Sequence, residues 1–352
     1  GSSIEPCCCE CLPAWIGAGA AHPILNQIST AKVMSDVIQF MSDQVWVLAL
    51  STRFATPTEK LLEEALREHI RELRLDRFEV SMANVTMVGI GPSRWAITGE
   101  DLDTLEAIAR VAFPFQPNIH LLNEYVIQPD TIRKGRLSWA VLHNLETLGL
   151  KCRTFVSHCW DEPFYEFLQA LRDQYVDYAR RAFWVCFVAN PQSWGKAALD
   201  EMLQEYVPFW TAVAECSNVL IVRNRITHIY TRGWCVLELI AAVFHRRMIT
   251  VVGSCSLHYV LDRDLGHGAT CKEESDTEFV QQIVSDVVAE WGISLNELIK
   301  PIMDAESGAT LHPGDFEHLF PAMTPRQRQA IQRKVYRSRQ AYSQDSSSDE
   351  SS

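Results

Sequence analysis

One carboxylate and the two segments around it mark the part of the chain whose residue types could do chemistry. Glu238 lies in Thr231-Arg232-Gly233-Trp234-Cys235-Val236-Leu237-Glu238-Leu239, and we predict it in the first turn of an apolar helix, after a loop with a cation and an indole. Upstream, Arg153-Thr154-Phe155-Val156-Ser157-His158-Cys159-Trp160 is typical of a short strand that ends at a polar turn. A carboxylate held in a dry site stabilises positive charge on a reacting group. These two segments are therefore the first candidates for a functional site.

The elements around the two segments alternate between strand and helix, which is typical of a doubly wound α/β fold. The predicted strands are 154–157, 182–188, 219–223 and 249–252, and the predicted helices are 162–175, 199–216 and 234–246. Ligands of an open parallel sheet bind at the carboxyl ends of the strands. Residues 157–162 and 190–195 follow the first two strands, and 231–238 opens the helix after the third. All three loops are therefore predicted at one edge of the sheet.

The strand segment and the pattern Trp234-Cys235-x-x-Glu238 resemble the first strand and the Trp-Cys-x-x-Glu helix of TIR (Toll/interleukin-1 receptor-like) domains. The resemblance extends from Cys152 to about Cys255. The combination of Phe-Val-Ser-His-Cys-Trp with Arg-Gly-Trp-Cys is most similar to divergent TIR-like proteins of protists. The resemblance implies a flavodoxin-like parallel sheet flanked by helices, usually with five strands. The sequence places four of these strands.

In TIR domains that cleave NAD, the glutamate at the place of Glu238 is catalytic. The resemblance therefore implies an NAD+ nucleosidase, acting in signalling or defence, that hydrolyses the N-glycosidic bond and releases nicotinamide. NAD is the substrate, and no cofactor is expected. The residues expected to bind it are Ser157, His158, Trp160, Trp194, Arg232, Trp234 and Cys235. The indoles would stack on the adenine or nicotinamide ring, and Arg232 would meet the diphosphate.

The same residues also have structural interpretations. The helix dipole favours a glutamate in any first turn, the indoles also suit packing, and Arg232 also suits a solvated loop. The alternative function is a non-catalytic TIR-type module that self-associates in intracellular signalling, with the loop around Trp194 as an exposed interface. In either case a homo-oligomer is expected. No Cys/His set has zinc spacing, so no metal site is predicted. His158 is not predicted to activate Ser157 or Cys159, because neighbours on a strand point to opposite faces.

Composition and periodicity divide the 352 residues into five predicted regions. These are a flexible Cys-rich arm (1–27), a smaller α/β or α+β N-terminal module with its linker (28–150), the TIR-like domain (151–305), a C-terminal helical extension (306–342) and a disordered acidic serine tail (343–352). Within the N-terminal module, 78–91 is predicted as a strand, and Thr98-Gly99-Glu100-Asp101 is predicted to start a helix.

The net charge of -12 argues against nucleic acid as a partner, since nucleic-acid binding requires a basic surface. The sequence lacks a run of about 18 apolar residues, so no membrane-spanning helix is expected. Scattered cysteines without a secretory signal favour reduced thiols in the cytoplasm. Gly1 with Cys7, Cys8 and Cys9 resembles an acylated N-terminus that would contact a membrane peripherally, although Glu5 stands where Ser or Thr is preferred. A cloning remnant or a free arm is the alternative.

Overall fold

A computed structural model of the protein describes residues 77–253, 269–271, 274–319, 324 and 326–335. The predicted arm, the first part of the predicted N-terminal module and the acidic tail lie outside these residues. The predicted lipidation positions Gly1, Cys7, Cys8 and Cys9 lie outside them as well. Within the described ranges, no helix combines the length and the apolar character needed to cross a membrane.

Six strands of the described chain form one mixed sheet. They are β1 (Ile97–Thr98), β2 (Thr154–Ser157), β3 (Ala182–Val185), β4 (Asn218–Arg223), β5 (Met248–Gly253) and β6 (Thr310–Leu311), in the order β1-β3-β2-β4-β5-β6. The four central strands are parallel, and the two-residue edge strands are antiparallel to their neighbours. The parallel pairing predicted from the alternation and the resemblance is confirmed, since Phe155 of β2 pairs with Trp184 of β3 and Val219 of β4. The strand predicted over 182–188 is too long, because the chain turns into a helix at Cys186–Ala189 after β3 ends at Val185.

Helices cover both faces of the sheet. They are α1 (Arg77–Ile90), α2 (Gly99–Ala112), α3 (Ile119–Leu122), α4 (Gln128–Arg133), α5 (Trp139–His143), α6 (Phe164–Gln174), α7 (Cys186–Ala189), α8 (Lys196–Tyr206), α9 (Pro208–Glu215), α10 (Gly233–Phe244), α11 (Glu274–Trp291), α12 (Leu295–Asp304) and a helix at 326–335. Successive strand residues point to opposite faces. Phe155 therefore packs in the core with α9 to α12, and Val156 packs in the core with α2 and α6. Every residue of β2 and β4 is buried, which explains their continuous apolar sequence.

The helix predicted from Thr98 is confirmed, and its start is fixed locally. The Thr98 side chain accepts a hydrogen bond from the Asp101 backbone, and the Asp101 side chain reaches back to the Thr98 backbone. This capping box satisfies donors that the first helical turn leaves without partners. The predicted helix over 199–216 is instead two helices, α8 and α9. Val207 adopts a left-handed conformation with φ of 40°, and Pro208 after it cannot donate to the preceding turn.

The prediction of a strand over 78–91 is wrong, because this segment is helix α1. Its valines favoured a strand. However, Ala83 and Met87 are buried and Val80 is half-buried, while Val85 is exposed. The apolar side chains therefore follow helical spacing.

The described part of the predicted N-terminal module shares its core with the rest of the chain. Strand β1 pairs with β3 of the predicted TIR-like domain, and Leu102 and Leu105 of α2 pack in one cluster with Phe183 of β3. Strand β6 falls within the predicted C-terminal extension and pairs with β5. The chain is thus an α/β protein whose central parallel strands are extended at both edges by segments from outside residues 151–305.

Candidate functional site

Glu238 meets the carboxyl end of the sheet through Ser157, the last residue of β2. The Ser157 hydroxyl donates a hydrogen bond of 2.6 Å to Glu238 Oε2. Glu238 is the sixth residue of α10, so the prediction of a first-turn glutamate is wrong, and the favourable first-turn dipole does not account for it. The helix begins at Gly233, whose backbone is so close to Cys271 that a β-carbon would lie 2.8 Å from its sulfur. Glycine there lets α10 pack closely against the segment at 269–271.

The Glu238 carboxyl group is held in an apolar environment. Only 4% of Glu238 is exposed, and the side chain that hydrogen-bonds to it is a neutral hydroxyl. Burial raises the pKa of Glu238 to about 8, and the Ser157 hydrogen bond and the charge of His158 oppose this rise. The carboxyl is therefore mostly protonated near neutral pH. A cation brought next to it would favour the ionised form.

His158 follows Ser157 and lies at the centre of a second group of polar side chains. Its Nδ1 is 2.7 Å from Glu162 Oε1, and its Nε2 is 3.2 Å from Cys186 Sγ. Phe167 and Phe187 pack against the imidazole ring. Burial lowers the pKa of His158, but the contacts with Cys186 and Glu162 outweigh it and hold this pKa well above its usual value. Burial raises the pKa of Glu162 against the opposing effect of His158.

The structure brings several of the predicted substrate-binding residues together. Ser157 and His158 are adjacent in the chain, the half-buried Trp160 donates its indole N–H to Cys186 Sγ at 3.1 Å, and Cys235 Sγ lies 3.4 Å from the His158 carbonyl oxygen. Arg232 lies just before α10, and its charge lowers the pKa of Cys159 and Cys235 against the dominant effect of burial. These residues surround the carboxyl end of β2, as the loop positions predicted.

Two of the predicted tryptophans have other partners. The half-buried Trp234 stacks on Phe209 of α9, with 4.9 Å between the ring centroids, and it also meets Phe279 of α11. Trp194 is only 5% exposed, and its indole N–H donates to the Arg136 carbonyl oxygen at 2.8 Å. The prediction that Trp194 is an exposed interface residue is therefore wrong. The loop folds back onto the segment before β2, where this N–H finds an acceptor.

Glu162 and Cys186 are functional candidates that the sequence analysis did not identify. Cys186 lies in the apolar segment Val185-Cys186-Phe187, yet it stands directly after β3 and is half-buried. Glu162 stands in the loop after β2, four residues beyond His158. The available signal was their position at the carboxyl ends of neighbouring strands, where parallel sheets gather ligands. Among the described residues, no group of three or more His, Cys, Asp and Glu side chains is placed to hold a metal ion.

No family model matches the chain, and no curated protein or solved structure matches it. The resemblance to TIR domains therefore stays a prediction from the two motifs.

Proposed function

We propose that the protein hydrolyses the N-glycosidic bond of NAD and that Glu238 is its catalytic residue. The observation that carries the proposal is a buried carboxyl group at the carboxyl end of a parallel strand, hydrogen-bonded to the neutral Ser157 and with its pKa raised to about 8. Strongly shifted carboxyl groups of this kind are typical of functional sites. A structural glutamate buried this deeply would be expected to have a cation as its hydrogen-bonded partner.

The chemistry of NAD fits such a carboxyl group. The nicotinamide ring carries a positive charge, and cleavage of its bond to the ribose passes through an oxocarbenium-like sugar. The bond's electron pair leaves with the nicotinamide nitrogen, water attacks the ribose carbon, and a proton is released. The cation lowers the pKa of Glu238 on binding, because opposite charges favour ionisation. The resulting carboxylate then stabilises the ribosyl cation electrostatically.

The order of the strands supports a TIR-like, flavodoxin-type fold. Across the sheet, the parallel strands run β3-β2-β4-β5, which is 2-1-3-4 among the parallel strands in chain order. Flavodoxin-like sheets have the order 2-1-3-4-5. The antiparallel β6 lies next to β5, where the fifth parallel strand would stand. In the flavodoxin-like arrangement, ligands bind at the switch point between the first and third parallel strands, which here are β2 and β4.

Access to Glu238 requires movement of the surrounding loops. Ser157, His158 and Glu162 are buried together with Glu238, so a dinucleotide does not reach the carboxyl group in this conformation. Trp160 and Arg232 are half-buried and lie on the outer side of the site. We propose that the loop at 158–163 and the loop before α10 separate to admit the nicotinamide ribose. Enzymes commonly exclude water through such closure.

The decisive experiment measures nicotinamide release from NAD by the purified full-length chain, across a series of protein concentrations. Wild-type protein is expected to release nicotinamide, and Glu238→Gln is expected to lower kcat by about 100-fold or more, as loss of one electrostatic stabiliser does. Glu166→Gln, at an exposed position of α6, is the matched control and is expected to retain full activity.

Two results would contradict the proposal. One is wild-type protein that releases no nicotinamide at any concentration, which would favour the alternative of a non-catalytic self-associating module. The other is equal turnover by wild type and Glu238→Gln. Circular dichroism of both glutamine variants separates a loss of catalysis from a loss of folding.

The proposed setting of this activity rests on the sequence. A homo-oligomer formed by the TIR-like region, in the cytoplasm and with acyl chains on Gly1, Cys7, Cys8 or Cys9, would concentrate the enzyme at a membrane surface. Sedimentation of the full-length protein tests the assembly. Hydroxylamine-sensitive labelling of cells with a fatty-acid analogue tests the cysteine acylation, and replacement of the three cysteines by serine is expected to remove the label.

A further inference from the structure

Cys186, His158 and Glu162 form a chain of contacts that the proposed NAD chemistry does not use. The Cys186 sulfur lies 3.2 Å from His158 Nε2, and His158 Nδ1 lies 2.7 Å from a Glu162 carboxylate oxygen. The imidazole is thus held between a thiol on one nitrogen and a carboxylate on the other. Trp160 adds a further contact, since its indole N–H donates to the same sulfur at 3.1 Å.

This order of groups is that of an activated nucleophile. A carboxylate is an acceptor, so it holds the Nδ1–H tautomer of His158 and leaves the Nε2 lone pair facing the thiol. His158 takes the thiol proton, a transfer that the raised pKa of its imidazole favours, and Glu162 stabilises the imidazolium that results. The N–H of Trp160 stabilises the negative charge left on the sulfur. A nucleophile, a base within hydrogen-bond reach and a third group that orients the base define covalent catalytic centres in general.

Three other cysteines of the described chain, Cys159, Cys235 and Cys271, lack this arrangement. Burial raises the pKa of Cys159 to about 12 and holds that of Cys235 well above its usual value, and both side chains are inaccessible. Cys271 is half-buried like Cys186, burial raises its pKa to about 11, and its hydrogen bonds are with the Trp234 backbone and the Thr277 side chain, neither of which is a base. Cys271 is therefore a matched internal control for exposure without activation.

We propose that Cys186 is a nucleophilic thiol that reacts with hydroperoxides, with His158 as its base and Glu162 as a positioning residue. The sulfur lies between the indole of Trp160 and the buried imidazole, so the site favours a small electrophile over a bulky one. Thiols with this combination of partial exposure and a neighbouring base are those most susceptible to peroxide. The inference rests on these contacts and does not depend on cleavage of NAD.

The reaction balances with the peroxide as the only added reactant. His158 takes the thiol proton, and the sulfur attacks the terminal peroxide oxygen. The S–O bond forms as the O–O bond breaks, and the electron pair of that bond leaves with the second oxygen. His158 protonates this leaving oxygen, which yields an alcohol or water. The sulfur is oxidised to a sulfenic acid, and the peroxide is reduced.

The titratable and charged groups near the thiol define what a pH profile of its reactivity reports. Besides His158 and Glu162, the groups that surround it are Asp161 and Arg232 on the loops, the thiols of Cys159 and Cys235, and the carboxyl group of Glu238. The contacts with Cys186 and Glu162 hold the pKa of His158 well above its usual value, and burial raises the pKa values of Cys159 and Cys235. If replacing Glu162 changes the pH profile of Cys186 reactivity, the change therefore reports the ionisation of His158, whose imidazole lies between Glu162 and the sulfur.

The first test maps the reactivity of each cysteine in the native full-length chain. Iodoacetamide labelling at neutral pH, followed by peptide mass spectrometry, is expected to modify Cys186 at least about tenfold faster than Cys271, in line with the greater reactivity of activated thiols. Hydrogen peroxide with dimedone present is expected to place the sulfenic-acid adduct on Cys186. Equal labelling rates would overturn the nucleophile, and fast alkylation without any dimedone adduct would overturn the assignment to hydroperoxides.

The second test addresses the base and its positioning residue. Glu162→Gln is expected to slow alkylation of Cys186 and to shift its pH profile, while the profile of Cys271 stays unchanged. Trp160→Phe is expected to slow the reaction less, and its half-exposed position keeps the test valid if the buried Glu162 variant does not fold. An unchanged rate and profile for Cys186 in a folded Glu162→Gln variant would overturn the role of the dyad. An unchanged rate in Trp160→Phe would overturn the indole contact.

Discussion

Two groups of acidic side chains in this protein differ in their hydrogen-bond partners: one group is paired with arginines, and the other is paired with a neutral hydroxyl. The arginine cluster, formed by Asp103, Glu106, Arg110 and Arg172, joins α2 to α6 near the surface. Arg172 Nη2 lies 2.5 Å from Asp103 Oδ1 and also contacts Glu106, and Arg110 lies 2.5 Å from the other Glu106 oxygen. Every carboxylate in this cluster has a guanidinium partner. Charge-assisted hydrogen bonds between a guanidinium and a carboxylate are among the stronger hydrogen bonds in proteins.

The serine–glutamate site, formed by Ser157 and Glu238, has no such compensation in its hydrogen bonds. Its carboxyl group is more deeply buried than those of the arginine cluster, and it receives a neutral hydroxyl instead of a cation. Burial therefore dominates, and the pKa of Glu238 rises to about 8. In the arginine cluster, burial lowers the pKa of Arg172, but the contacts with Asp103 and Glu106 outweigh it and raise this pKa above its usual value.

The presence or absence of a guanidinium partner distinguishes acidic groups that stabilise helix packing from an acidic group that is available to bind a cation. A paired carboxylate contributes to stability and has little capacity left for a new cation. An uncompensated buried carboxyl group destabilises the folded chain once it ionises, and it gains from the arrival of a positively charged substrate.

The largest expected effect is a pH-dependent destabilisation caused by Glu238. Its pKa is about 8 in the folded chain and near 4.5 when exposed, so the folded state holds the proton more tightly. Stability from this group is fully present below about pH 4.5 and is lost as the pH rises through 8. Urea unfolding should therefore show wild type and Glu238→Gln nearly equal at about pH 4, and wild type less stable by about 5 kcal/mol at about pH 9.

The glutamine variant removes only the titration, because its amide has nearly the shape of the protonated carboxyl group. Groups such as His158 and Glu162 titrate in both proteins, so the difference between the two curves isolates Glu238. Parallel curves from acid to alkaline pH would show that a cation or water compensates the ionised carboxylate. The contrast between the two groups of acidic residues would then be wrong.

A smaller effect is expected from removing the central cation of the arginine cluster. Arg172→Met keeps the unbranched apolar stem of the side chain but leaves Asp103 without its guanidinium, and we expect a loss of about 2–3 kcal/mol of unfolding free energy at neutral pH. Partial exposure of the cluster, with Arg172 28% exposed, reduces this below the value for a fully buried pair. Arg110→Met is the control, because Arg110 is 60% exposed and such pairs contribute only about 0.5 kcal/mol. Equal losses in the two variants would contradict the structural role of Arg172.

The parts of the fold that could be predicted from sequence are those with a local cause. Strands β2, β4 and β5 were found because both of their faces are buried, which leaves an uninterrupted apolar run. The start of α2 was found because Thr98 and Asp101 form a capping box within four residues. The edge strands β1 and β6 were not found, since each has two residues and exists only through pairing with a strand distant in sequence.

The candidate site was also predicted only in part, because some of its contacts join residues that are distant in sequence. The position of Glu238 near the carboxyl end of β2 follows from the alternation of strands and helices. The contact of Cys186 with His158 depends on how β3 pairs with β2, and the path of the loop to Glu162 has no sequence signature. The burial of Trp194 depends on a carbonyl group 58 residues upstream, at Arg136, so no pattern around the indole could indicate it.

A smaller stability effect than that of Arg172→Met is expected from Ser157→Ala, which removes the hydroxyl that opposes the rise in the pKa of Glu238. Loss of this hydrogen bond should lower the free energy of unfolding by about 1 kcal/mol. It should also raise the pKa of Glu238 further above 8, because the ionised form loses its donor. If the proposed reaction occurs, kcat/KM for NAD rises with pH as the free carboxyl group ionises, and the variant moves this rise to higher pH.

The second readout makes Ser157→Ala informative about function as well as stability. A variant that merely loosens the fold would lower kcat/KM at every pH without moving the profile. Ser157→Thr is the conservative control, since it retains the hydroxyl on the same carbon and is expected to keep the wild-type profile. A shift in alanine but not in threonine would show that a neutral donor, and not a cation, sets the ionisation of Glu238. An identical profile in all three proteins would mean that another group controls that ionisation.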